Sequence, residues 1–127
     1  MEHKSGEHME WAPSPFEHFT GAVWNTRLVE GEPGPTVIAV QFSPGARTDW
    51  HSHPEGQVLY VVSGAGLVQS EGSPAEAIGA GDVVWAAPGE RHWHGARPDS
   101  PMMHLSITSG GPTAWEGKVS DTEYGQS

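Results

Sequence analysis

The chain has 127 residues and a formal charge of −10, from 16 acidic and 6 basic side chains. Phosphate backbones and anionic membrane surfaces are therefore repelled, and neither nucleic acid nor a membrane is expected as a partner. There is no cysteine, which excludes disulfides, thiolate metal ligands and thiol nucleophiles together.

One domain of this length buries roughly two thirds of its unfolded surface without covalent staples. The opening "MEHKSGEHMEW" has no apolar core of the kind a secretory signal carries. The longest purely apolar run, Val58 to Val62, is far short of a membrane span of about 20 residues. A soluble cytoplasmic protein is expected.

Residues 1–15 are polar, include Pro13 and Pro15, and read as a flexible arm or an edge-strand extension. His3, His8 and His18 are expected to be solvated. From Phe16 onward, short apolar runs alternate with turn signals: "FTGAVW", "EGEPGP", "TVIAVQF", "SPGART", "QVLYVV", "SGAG", and so on to "MMHLSI". With 17 glycines and 11 prolines as punctuation, this pattern predicts an all-β domain over residues 16–124. So many short strands must close into a barrel or sandwich to hide their edges. The one helical signal is "SDTEY", where Ser120 and Glu123 have capping-box spacing. It predicts one or two turns, followed by a tail at 125–127.

The chemistry concentrates in "DWHSHPEGQ" and "RHWHGA". Side chains two apart on a strand share a face, so His51 and His53 can reach one ion. Gln57 keeps that parity if the turn between them does not shift the register. His92 and His94 lie on a separate strand right after the turn "APGE", and one of them can complete a site for a divalent transition metal at a barrel mouth. Histidine and amide ligands suit manganese, iron, zinc, nickel, cobalt and copper alike. A small anionic ligand would need the metal or one of Arg27, Arg47, Arg91 and Arg97; neutral small molecules fit more easily.

In "MMHLSIT", Met102, His104, Ser106 and Thr108 share one face, and Met103, Leu105 and Ile107 form an apolar opposite face. Such a strand lines a cavity. His104 is its candidate proton acceptor, since an imidazole titrates near neutrality. Trp50, Trp85 and Trp93 are expected to pack the barrel. Arg47 is expected to pair with Asp49 or an exposed acid.

The spacing Gly45, five residues, His51-x-His53, three residues, Gln57, six residues, Gly64 resembles the first motif of the cupin superfamily, with Gln57 in place of the usual glutamate. The second motif is matched by Gly81, five residues, Ala87-x-Gly89, two residues, His92. Ala87 replaces its usual proline and Ala96 its usual asparagine; neither change removes a ligand. "PGARTDWHSHPEGQ", "GDVVWAAPGERHWHGA" and "MMHLSI" are similar, nearly residue for residue, to small single-domain cupins typified by bacterial manganese-dependent hydroxynitrile lyases.

The resemblance implies a jelly-roll barrel, manganese held by His51, His53, Gln57 and His92, and His104 as the base that takes a hydroxyl proton. It also implies a homo-oligomer, either dimer or tetramer, formed by strand exchange. His94 then reads as a rim or supporting residue. Ile38, Val40, Leu59, His94, Ser106 and Thr108 would line the substrate pocket. Ile38 is bulkier than the alanine of that subgroup, and Thr108 replaces its glutamine.

An amide ligand is neutral, so the ion would keep its +2 charge where a glutamate would reduce it to about +1. That favours Lewis-acid chemistry such as carbon–carbon bond cleavage. A non-haem dioxygenase is the alternative, because neutral all-histidine sites occur in dioxygenases of the same superfamily. A biosynthetic cyclase or isomerase and a non-enzymatic ligand-binding cupin are further alternatives.

Overall fold

The computed structural model describes residues 1–31 and 33–125. A 3-10 turn, Gly6–His8, precedes β1 (Ala12–Pro13), β2 (Phe19–Thr20), β3 (Val23–Glu30) and β4 (Thr36–Phe42). Then come β5 (Arg47–Thr48), β6 (His51–Ser52), β7 (Gln57–Ser70), β8 (Glu76–Gly79) and β9 (Val83–Ala86). The chain continues through β10 (His92–Ala96), β11 (Met102–Thr108), β12 (Ala114–Trp115) and α1 (Asp121–Gly125). Of the expected tail, residues 126 and 127 lie outside the described residues. No helix among the described residues is long and apolar enough to cross a membrane.

The strands pair antiparallel in the order β1-β3-β4-β11-β7-β10-β5-β2, with β9 and β8 on β7, β6 on β10 and β12 on β6. This is the curled jelly-roll barrel expected for an all-β chain. The 14-residue β7 holds its two halves together. Its first part pairs with β11 and β9, and its second part with β10 and β8. The crossing falls at Gly64, whose φ is +79°. A Cβ there would stand 2.0 Å from the Pro101 carbonyl oxygen, so only glycine lets the strand turn this close to its neighbour.

Alternation then sorts the side chains. Inward, Val23, Val40, Phe42, Val61 and Met102 form the main apolar cluster, and each such burial contributes roughly 1.5–3 kcal/mol. On β10, His92 and His94 point into the barrel. Trp93 points the other way, fully buried against Trp50, Leu67 and Val119. The carboxy-terminal segment supplies that cover. Ser120 and Glu123 make both bonds of the capping box, at 3.0 and 2.9 Å, and the Tyr124 hydroxyl donates to the Ala96 carbonyl at 2.6 Å.

One expectation is met and one is corrected here. Arg47 pairs with an exposed acid, Asp121, rather than with Asp49: its guanidinium donates to the Val119 carbonyl and to Asp121, both at 2.8 Å, and lies 4.6 Å from the Tyr124 ring. Asp49 is paired instead with Lys118 at 3.1 Å. Trp85 does not pack inside the barrel and is 58% exposed. It sits opposite Val58, an outward position of β7, at the end of a cross-strand row through Ile107, Val37 and Val29.

Candidate metal centre

Four side chains converge at one end of the barrel. The backbone of β6 pairs His51 with His92 on β10, which brings their rings to 4.4 Å between centroids. His53 follows just past the end of β6, and the ligand nitrogens of His51, His53 and His92 all lie within 4.8 Å of one another. The turn at Pro54–Gly56 reverses the chain, with Gly56 at φ +85°. Gln57 therefore arrives from the start of β7, on the other half of the barrel, rather than along a continuous strand.

The outer atoms of these rings are already engaged. His51 Nδ1 lies 2.9 Å from the Asp49 carbonyl, and His92 Nδ1 2.8 Å from the Glu90 carbonyl. His53 Nδ1 lies 3.3 Å from Thr113 Oγ1. Carbonyl oxygens only accept, so the Nδ1 atoms of His51 and His92 carry hydrogen and each Nε2 keeps its lone pair. The Gln57 amide nitrogen donates to Ser106 Oγ at 2.8 Å, which turns Oε1 toward His92 Nε2 at 2.9 Å. In a neutral His92 these two atoms are both acceptors, an arrangement that a cation between them relieves. His53 Nε2 is buried without a hydrogen-bond partner among the described residues. The donor set therefore fits a divalent transition metal held by His51, His53, Gln57 and His92.

Burial lowers the basicity of every imidazole here. Desolvation first, then the neighbouring histidines, holds His51 and His94 well below the ordinary value. Desolvation brings His53 and His104 down to about 4 and also lowers His92. Near neutral pH the rings are neutral, as metal ligation requires. In the unfolded chain an imidazole returns to about 6.5. Between that value and about 4 the unfolded chain holds protons that the folded chain does not, so stability falls as pH drops through this window. Metal-free protein should melt at steadily lower temperature from pH 7 to pH 4.5 in calorimetry, and His104→Gln should flatten that slope.

Beside the cluster a cavity of about 510 Å³ opens between the sheets, a normal size for a small-molecule site. Ile38, Val40, His94, His104 and Ser106 line it. Leu59 does not: it is the cross-strand neighbour of Ser106, fully buried and absent from the lining. Thr108 does not line it either. It stands one inward position beyond Ser106, opposite Gln57, and faces an adjoining cleft together with Arg27, Ile38 and Thr113.

His94 is more than a rim residue. It is 3% exposed, and its Nδ1 lies 2.9 Å from His104 Nε2, while His104 Nδ1 has no hydrogen-bond partner among the described residues. Sequence reasoning missed His18, Asn25 and Trp115, which reach the cavity, and named Arg27, which also reaches it, only as one of four possible partners for an anion. His18 is stacked on Trp115 at 4.3 Å rather than solvated. The inward alternation of β3 was the one available signal, and it pointed to Asn25 and Arg27 only.

The cupin domain family profile matches residues 39–108, the stretch that carries all four candidate ligands and His104. The chain belongs to the cupin family. This cupin is 47% identical over 116 residues, 87% of the chain and 88% of the relative, to the (R)-mandelonitrile lyase of Granulicella tundricola. A cupin-like protein from Thermotoga maritima superposes with a TM-score of 0.86 at 44% identity, covering 89% of this chain and 90% of its own. The polyketide cyclase RemF from Streptomyces resistomycificus shares the fold at 17% identity, with a TM-score of 0.79 over 98% of this chain and 90% of its own.

Proposed function

We propose that this cupin is a metal-dependent lyase that cleaves the carbon–carbon bond of small cyanohydrins, with manganese as the ion of first choice. The observation that carries the reading is His104, a fully buried neutral imidazole facing the cavity beside the ligand cluster. The named lyase relative supports the same reaction class. When bound, the divalent ion supplies Lewis acidity, undiminished by its four neutral ligands.

The chain's own residues supply the proton path. In the tautomer this reading requires, His104 donates its Nε2 hydrogen to His94 Nδ1, 2.9 Å away, and keeps the Nδ1 lone pair. That atom takes the substrate's hydroxyl proton; the O–H electron pair becomes the second bond of a carbonyl, and the carbon–carbon pair leaves on cyanide. The proton then passes from His104 to cyanide, so aldehyde and hydrogen cyanide are released. Phe42 packs 5.2 Å from the His104 ring and excludes water from the base, while Ile38 and Val40 form an apolar wall for the substrate's body. Benzaldehyde release from mandelonitrile by the manganese-loaded protein tests the reading. No release with manganese, iron or zinc would overturn it.

The outward row of Val29, Val37, Ile107, Val58 and Trp85 crosses five strands, more continuous apolar surface than a solitary small domain usually shows. We propose that a second copy of the chain covers it, giving a homodimer or a higher homo-oligomer. Light scattering after gel filtration should find at least a dimer, and Trp85→Glu should shift it toward monomer. A monomeric wild-type protein would refute this.

A further inference from the structure

The chain's charge is inverted in its cavity. Of 16 acidic residues, none lines the metal-side cavity among the described residues, whereas Arg27 does. The other basic side chains are committed elsewhere. Arg47 is buried under the carboxy-terminal segment. Arg91 is paired with Glu71 at 2.6 Å and lies 4.4 Å from the Trp50 ring, Arg97 is paired with Asp99, and Lys118 with Asp49. Lys4 pairs with Glu2 on the amino-terminal arm.

Arg27 is placed by the sheet. It pairs with Ile38 on β4, and Ile38 pairs with Ser106 on β11. These inward positions form one row, and Ser106 holds the Gln57 amide. Two strand spacings, about 10 Å, separate the Arg27 backbone from that of Ser106. The row runs from a fixed cation at the mouth, over the apolar Ile38, to the ligand cluster. Arg27 also lines the adjoining cleft with Thr108 and Thr113, where Glu55 is the only carboxylate among the described residues. Its one ion pair among the described residues is Nε to Glu30 at 3.5 Å, with both side chains more than half exposed. Such a pair is weak and readily exchanged.

We infer that Arg27 determines specificity for an anionic substituent, a carboxylate in the first instance, on the end of the substrate remote from the reacting hydroxyl. The inference rests on the lyase reading for which end of the substrate reaches His104. A guanidinium offers a carboxylate two parallel donors, and the outgoing ligand exchanges Arg27 back to Glu30. The substrate class is then a carboxylated cyanohydrin or aldehyde rather than a wholly neutral one.

The test compares wild type, Arg27→Gln and Arg27→Lys on mandelonitrile and on 4-carboxymandelonitrile, with manganese loaded. Arg27→Gln should lose about tenfold or more in kcat/KM on the carboxylated substrate, chiefly through KM, and less than twofold on mandelonitrile. Arg27→Lys should recover part of the loss. Equal effects on both substrates, or no effect on the carboxylated one, would overturn the inference. If neither cyanohydrin is cleaved, the lyase reading fails separately, and calorimetric binding of 4-formylbenzoate against benzaldehyde decides. Weaker 4-formylbenzoate binding in Arg27→Gln supports the carboxylate site, and identical binding in the two proteins refutes it.

Discussion

His104→Ala is expected to lower the rate of cyanohydrin cleavage by about two to four orders of magnitude, the span set by loss of a positioned general base. The protein should keep its metal, because His104 bonds to His94 and not to any of the four candidate ligands. Elemental analysis alongside the kinetics separates the two effects. Normal metal content with a collapsed kcat is the expected pair of results. A variant that keeps its metal and its rate would remove His104 from the proton path. Because His104 is fully buried against Phe42, alanine also leaves a cavity costing roughly 2–5 kcal/mol. His104→Gln, closer in volume, is the control that separates chemistry from folding.

His92→Ala is expected to do the opposite, abolishing metal retention first and activity as a consequence. His92 is the candidate ligand on which the geometry turns: it pairs with His51 through the backbone and faces Gln57 through its side chain. Its loss also leaves the Glu90 carbonyl without its imidazole donor. Metal per chain after purification should fall from about one to near zero. Activity should return at most slightly when manganese is added in excess. Full metal content in His92→Ala would displace the centre from this cluster.

Much of this site was legible because strand parity is a strict rule. His51 and His53 and the inward set His104 and Ser106 follow from alternation and spacing, while the choice of His92 over His94 came from the resemblance to the second cupin motif. The capping box at Ser120 was equally readable, since it depends on local bonds only. Depth along the barrel axis was not readable. Leu59 and Thr108 have the correct parity, but one is sealed within the wall and the other sits past the ligand level. Parity names a face and says nothing of how far along it the cavity extends. Trp85 failed for a related reason: an aromatic on a short strand packs inside or outside according to register with β7, which pairing across a loop decides. His18 and Trp115 reach the cavity from segments of two residues or none, too short for any period to show.

The crossing of β7 has a consequence for how the protein can change. The three histidines hang on the half of the barrel built around β10, while Gln57 begins the part of β7 that belongs to the other half. An ion bound by all four is a rivet through two plates, and its binding energy is also energy of assembly. Substitutions that weaken the ion's grip therefore loosen the seam on which the substrate cavity depends. Turnover and durability are inherited together here, and selection acting on one moves the other.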